Sequence, residues 1–247
     1  MIILNRMVRM LNKLFKHFGF QIIKYKGRDI YNDVNNLLKK NHEYLLIDAG
    51  AYIGDFSSKM LTMNKNISAL AFEPNILCEK KLMNIKNKYG DRFNYELKAI
   101  GEKQAETKYY RNTSPLTNSL LETSMEGFRY FVNTNQNENI SLVQMVTIDD
   151  ICNYYPKIDK IIKMDLQGYE CNALYGAKET LHSTRIIIIE MNYFKYYKNG
   201  SLYYEVDQLL RESGFFLYNI YDIALELKSR RMLFGDCIYL NKKYYEQ

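Results

Sequence analysis

The stretch Leu45-Leu46-Ile47-Asp48-Ala49-Gly50-Ala51-Tyr52-Ile53-Gly54-Asp55, followed by Ala69-Leu70-Ala71-Phe72-Glu73-Pro74, decides the fold. An apolar run stops at a glycine-rich turn, and about twenty residues later a second apolar run stops at an acid. That succession marks a nucleotide-type cofactor site at the first crossover of a parallel sheet. Asp48 ends the first strand, Gly50 permits the tight turn, and Gly54 lets backbone approach a ligand or the sheet. Glu73 ends the second strand, where a carboxylate accepts hydrogen bonds from ribose hydroxyls.

The turn departs from the G-x-G-x-x-G fingerprint: an aspartate precedes the first glycine, and the middle glycine is missing. A carboxylate there opposes a pyrophosphate and favours a cationic ligand. S-adenosylmethionine carries an ammonium and a sulfonium and no phosphate, so electrostatics separates it from NAD. The expected cofactor-binding residues are Asp48, Gly50, Ala51, Gly54, Glu73, Asn75 and Ile100.

Outward from this site, segments alternate between strand and helix. Strands are expected at Tyr44–Asp48, Ile67–Phe72, Phe93–Ile100, Asp159–Met164, Arg185–Glu190, Phe215–Ile220 and Cys237–Leu240, with an extra one at Thr107–Tyr110. Helices are expected at Phe56–Met63 (capped by Asp55 or Ser57), at Ile76–Tyr89, and on the stripes Leu174/Ala177/Leu181 and Leu202/Val206/Leu209/Leu210. Residues 111–140 read as a polar excursion over the active-site face, partly helical around Leu116–Phe131. The whole is an open α/β sheet with helices on both faces, with residues 1–43 an N-terminal helical extension and 44–247 the cofactor-binding domain. Residues 2–18 have helical apolar spacing with Arg6, Arg9, Lys13 and Lys16 on the other side. Such a helix packs on its own domain or on a sister subunit of a homo-oligomer, the favoured reading, or lies against an anionic membrane surface.

Composition bounds the function. The chain has 247 residues, 47% of them hydrophobic, and a net charge of +6 that is spread out, so no nucleic-acid partner is implied. Cys78, Cys152, Cys171 and Cys237 are too far apart in sequence to form a metal or redox pair. No long uncharged apolar stretch and no signal-peptide pattern is present, which makes the cytoplasm the expected compartment. His17, His42 and His182 lie away from the motifs that carry chemistry.

The chain resembles the FkbM family of S-adenosylmethionine-dependent methyltransferases. The resemblance rests on Ile47–Gly54, Phe72-Glu73-Pro74, Ala99-Ile100-Gly101, Thr147–Asp150, Lys163–Glu170 and Ile189-Glu190, in order from residue 44 onward. It implies a class I methyltransferase (Rossmann-like) seven-stranded doubly wound sheet with its last strands antiparallel. It also implies methyl transfer to a hydroxyl of a sugar or polyketide-type acceptor. Tyr52 stands where the family usually has Asn, and Gln167 where it usually has Glu.

Residues 163–170 also carry chemistry of their own. Ile161-Ile162 deliver Asp165 to the carboxyl edge of the sheet, where ligands bind in a doubly wound fold. Glu190 reaches the same edge from the next strand. Alcohol methylation needs a base for the acceptor proton, and the candidates in order are Asp165, Glu190 and Glu170, the last equally readable as a helix-start acid. These three acids offer oxygens of the kind Mg²⁺ takes, but nothing further in the sequence supports a metal, and none is assigned. Asn118, Ser119 and Arg129 are expected to contact the acceptor, and Tyr193, Tyr196 and Tyr197 to stack on a sugar ring. The expected acceptor is a small-molecule or lipid-linked sugar, as in surface-polysaccharide synthesis. The rival readings are a nicotinamide-dependent oxidoreductase on the same fold and a non-catalytic binding protein that kept the fold.

Overall fold

The computed structural model describes residues 29–127 and 139–245. The expected helix at 2–18 and Arg129 lie outside them. In chain order the elements are α1 (Ile30–Leu37), β1 (Tyr44–Ala49), α2 (Asp55–Met63), β2 (Ile67–Phe72), α3 (Glu79–Tyr89), β3 (Phe93–Glu96), β4 (Ala99–Ile100), β5 (Ala105–Arg111), β6 (Asn139–Val146), α4 (Ile148–Cys152), β7 (Asp159–Met164), α5 (Glu170–Tyr175), α6 (Lys178–Leu181), β8 (Thr184–Asn192), α7 (Tyr203–Glu212), β9 (Phe215–Leu225), β10 (Met232–Asn241) and α8 (Lys242–Tyr245).

Seven strands form the main sheet in the order β3-β2-β1-β7-β8-β10-β9, and β4-β6-β5 form a small second one. The order reverses between β1 and β7, each of which pairs in parallel with the other. That reversal opens a crevice at the carboxyl ends of both strands. Only β10 runs against its neighbours β8 and β9. The expectation of several antiparallel last strands is corrected here: α7 carries the chain back between β8 and β9, so β9 keeps the common direction, and only the tight β9–β10 hairpin reverses it.

Every residue of β1 is buried, and its side chains alternate between two apolar layers. Leu45, Ile47 and Ala49 join a core with Ile151 of α4, Leu174 of α5 and Leu210 of α7. Leu46 joins the other with Val34 of α1, Met60 of α2 and Leu82 of α3. Fully burying each such side chain stabilises by about 1.5–3 kcal/mol. The segment 29–38 therefore packs into the same core as the rest.

Several local expectations are revised. The strand expected at 93–100 is two: β3 stays in the main sheet, while Ala99–Ile100 pairs with Met145–Val146 in the second. The partner strand β6 went unread because its apolar Ile140 and Leu142 face solvent, 54% and 63% exposed. Of the partial helix expected around Leu116–Phe131, the described residues hold a helical residue at Gly127 and a 3₁₀ turn at Pro115–Thr117. There the Asn112 side chain takes the Thr117 carbonyl and the Asn118 side chain takes the Asn112 N–H, offering the backbone partners other than a helix. The stripe through residues 174–181 breaks at Gly176, where a Cβ would stand 2.1 Å from the Gly101 carbonyl oxygen. Neither Asp55 nor Ser57 caps α2, since Gly54 occupies the cap in the left-handed region.

Candidate active site

The first turn is built by backbone. The Phe72 carbonyl accepts the N–H of both Gly50 and Ala51 at 3.0 Å, and the Ala49 carbonyl accepts that of Asp165 at 3.1 Å. Gly50 has φ +73°, and a Cβ on it would lie 2.0 Å from the Asp165 carbonyl oxygen, so no other residue fits. Asp48 sits behind this turn, fully buried. Its Oδ2 accepts the Ser57 hydroxyl at 2.6 Å, while Oδ1 has no hydrogen-bond partner.

Lys163, adjacent to Asp48 across the β1–β7 pairing, completes the floor. Its Nζ donates to the Gly50 carbonyl at 2.8 Å and lies 3.6 Å from Asp48 Oδ1 and 3.7 Å from Asp165 Oδ2. Burial pulls its value down, but Asp165 and Asp48 outweigh that and hold it above the usual lysine value. Lys163 was quoted in the sequence motif without a role. The available signal was a cation near the end of a buried strand, a position that demands carboxylate partners.

Glu73, the acid expected to meet a ribose, is held by two backbone donors. Its Oε2 takes the Tyr52 N–H and its Oε1 the Asn75 N–H, both at 2.8 Å. Tyr52 supplies that N–H from φ +49°, a region that disfavours tyrosine. Burial pushes Glu73 above the usual carboxylate range, with the two N–H donors and Lys163 opposing. Asn75 caps the following turn by accepting the Leu77 N–H.

A cavity of about 600 Å³, including the solvent at its mouth, opens on this edge. Among the expected cofactor residues, Gly50, Glu73 and Ile100 form its wall, while Asp48, Ala51, Gly54 and Asn75 do not line it. Asp165, Asn118 and Ser119 also line it, so the second sheet and the excursion face the first turn across one space. Tyr109 of β5 lines it too and points its hydroxyl at Glu73 Oε1, 3.4 Å away; this residue was not anticipated.

The carboxylates beyond the turn divide in role. Asp165 and Glu190 converge on Gln167, whose Nε2 stands 2.7 Å from Asp165 Oδ1 and 3.0 Å from Glu190 Oε2. Burial, then Asp165, Glu170 and Asp236, push Glu190 well above the usual carboxylate range. Glu170 is 1% exposed, and its Oε1 accepts the N–H groups of Leu166 and Gly168. Of its two sequence readings, catalytic acid and helix-start acid, this geometry favours the second, because the side chain is closed off from an acceptor. It also removes Glu170 from a shared metal site with Asp165 and Glu190. Among the described residues no group of three His, Cys, Asp or Glu is placed to hold a metal ion.

The expected stacking tyrosines are corrected as well. Tyr196 and Tyr197 are 3% and 1% exposed and pack with Phe194, and Tyr193 lies against Tyr203 with ring centroids 4.8 Å apart. In that small apolar cluster the Tyr196 and Tyr197 rings are closed off from a sugar, while Tyr193 is half-buried and lies outside it.

A family model described as the methyltransferase FkbM domain matches residues 48–217. The chain belongs to the FkbM methyltransferase family. Every FkbM residue placed above, from Asp48 through Glu73 and Asp165 to Glu190, falls inside that match. No curated protein matches the chain. Solved structures with overall likeness to this FkbM methyltransferase include precorrin-6y C5,15-methyltransferase from Geobacter metallireducens GS-15, at 8% identity and TM-score 0.43, over 90% of this chain and 94% of that one. Magnesium protoporphyrin IX methyltransferase from Synechocystis PCC 6803 with bound SAM is similar at 12% identity and TM-score 0.42, over 85% of this chain and 74% of that one. A third is 1,6-didemethyltoxoflavin-N1-methyltransferase from Burkholderia thailandensis, at 10% identity and TM-score 0.42, over 81% of this chain and 72% of that one. No helix among the described residues is long and apolar enough to cross a membrane.

Proposed function

We propose that this FkbM methyltransferase uses S-adenosylmethionine to methylate a hydroxyl of a sugar or glycan precursor, as in bacterial surface-polysaccharide synthesis. One observation carries the reading: the Gly50 turn, the ribose-type acid Glu73 and the carboxylate of Asp165 line the same cavity. The residues fit a cationic, ribose-bearing donor. Gly50 gives a cradle that a Cβ would fill, Glu73 offers a fixed pair of acceptor oxygens, and the acids around Lys163 outnumber it, leaving the floor negative. Asp48 adds to that field from behind the turn rather than by contact.

Bound S-adenosylmethionine supplies an electrophilic methyl carbon on a sulfonium. Glu73 would hold the ribose hydroxyls, and Gly50 and Ile100 the faces of the slot. Asp165, 36% exposed at its side chain, would take the acceptor hydroxyl proton as the oxygen–carbon bond forms and the sulfur–methyl bond breaks, with S-adenosylhomocysteine as the leaving group. The remaining contribution is alignment, which rigid strand ends supply better than loops. The hydroxyl acceptor and its sugar class are supported by the family resemblance. A cytoplasmic setting, with any lipid-linked acceptor reached at the membrane surface, is part of the same proposal.

Labelled S-adenosylmethionine incubated with a panel of nucleotide sugars and surface-glycan extracts tests it. Label should pass to carbohydrate, and Asp165→Ala should abolish transfer while keeping donor affinity. Normal turnover by that variant would remove Asp165 as the base.

A further inference from the structure

Gln167 sits where four tethers meet. Its backbone is in the left-handed region at φ +53°, followed by Gly168 at +95°. Its Nε2 donates to Asp165 Oδ1 at 2.7 Å and to Glu190 Oε2 at 3.0 Å, which uses both amide hydrogens. Its Oε1 lies 2.8 Å from the Tyr197 hydroxyl, which shares its one proton with the Thr117 carbonyl at 2.9 Å. The Gln167 carbonyl accepts the Ser119 hydroxyl at 2.8 Å. The amide cannot be turned over, because its oxygen would then face two carboxylates.

We infer that Gln167 is a positioning residue: its amide clamps the two candidate bases, Asp165 and Glu190, in one orientation and ties them to the cavity-wall loop that carries Ser119. The inference rests on the proposed reading of Asp165 as base and extends it to a residue that need not touch the acceptor. A carboxylate free to rotate spends part of its time misaligned, whereas one held by an amide whose oxygen meets Tyr197, on a strained backbone whose carbonyl meets Ser119, does not. The clamp also joins the base to the acceptor side, since a swing of the Ser119 loop pulls on the Gln167 carbonyl. Electrostatically the amide does what a cation would do there, lowering the cost of two close carboxylates without adding net charge. The groups facing Glu190 are Asp165 and Lys163 from β7 and its loop, Glu170 from α5, Asp236 from β10 and Tyr197 from the loop after β8. Among the described residues, Gln167 is the one whose side chain donates to both bases.

The test needs no acceptor. In protein labelled with ¹³C at Glu side-chain carboxyls, the Glu190 resonance, assigned by its loss in Glu190→Gln, is followed through a pH titration. Gln167→Leu should raise its midpoint by about one unit, as expected when a donor to the charged form is lost. Gln167→Glu should raise it further. Tyr197→Phe, which frees the amide oxygen and the Thr117 carbonyl but leaves both Nε2 bonds, should move it the same way by less, and it decides the matter where Gln167→Leu does not fold. Once an acceptor is in hand, Gln167→Leu should cut kcat about tenfold or more with donor KM unchanged. A Glu190 titration identical to wild type in folded Gln167→Leu or, failing that, in Tyr197→Phe overturns the inference. A wild-type enzyme that transfers no methyl group while Gln167→Leu still shifts Glu190 would instead overturn the proposed function and leave the clamp standing.

Discussion

Replacing Glu170 by Gln separates a catalytic from a structural carboxyl. Burial holds Glu170 at about 7 against an ordinary value of 4.5, with its backbone donors Leu166 and Gly168 pulling the other way. A carboxyl whose folded value stands above its unfolded one binds its proton more tightly when folded. Its contribution is therefore full below pH 4.5 and is lost as pH rises towards 7. At about 1.36 kcal/mol per unit, that window amounts to about 3 kcal/mol. Glutamine keeps an oxygen for the two N–H groups and never ionises. Urea unfolding at pH 5 and pH 8 should therefore show wild type losing about 2–3 kcal/mol more than Glu170→Gln between the two. Asp236, raised to about 6 chiefly by burial, titrates in both proteins and cancels in the difference, whereas Glu190, which the Glu170 charge itself pushes up, adds to the wild-type loss with the same sign. Methyl transfer should survive the substitution. Parallel stability curves, or a variant less stable at pH 8, would show that Glu170 is a paired, charged group and refute the argument.

Lys163→Met should destabilise the fold by about 3–5 kcal/mol in urea, because it strands Asp48 as a buried unpaired carboxylate. Gly50→Ala meets both a positive φ and a 2.0 Å backbone clash, so it should cost more than about 2 kcal/mol in thermal unfolding and abolish donor binding in calorimetry. Glu73→Gln should keep the fold and weaken S-adenosylhomocysteine roughly tenfold to a hundredfold by calorimetry, the loss expected of a charge-assisted hydrogen bond.

What the sequence made legible was backbone punctuation. Gly50, Glu73 and Asp165 could be placed because each follows a strand built on a buried apolar run, and strand ends at a crossover must face one crevice. The second sheet was hidden: β6 shows its apolar side chains to solvent, inverting the pattern that identifies a strand. Side-chain partnerships were hidden too. The sequence marks Glu170 as an acid at a helix start, but only the folded turn brings Leu166 and Gly168 N–H groups to it. Gln167 was visible only as a departure from the family pattern; its place between two carboxylates depends on the β7–β8 register, which no local signal carries. Tyr196 and Tyr197 looked available because they follow a strand that ends at the crevice, yet the loop after β8 folds them inward.

The central claim is that the crevice holds a sulfonium-type donor by a glycine cradle and a ribose acid. Isothermal titration of the full chain with S-adenosylhomocysteine, with NAD as the parallel ligand, tests it most directly. One-to-one binding of S-adenosylhomocysteine that Glu73→Gln weakens, with no heat from NAD, is the predicted result. Binding of NAD in its place, or no binding of either by a folded protein, would contradict the account.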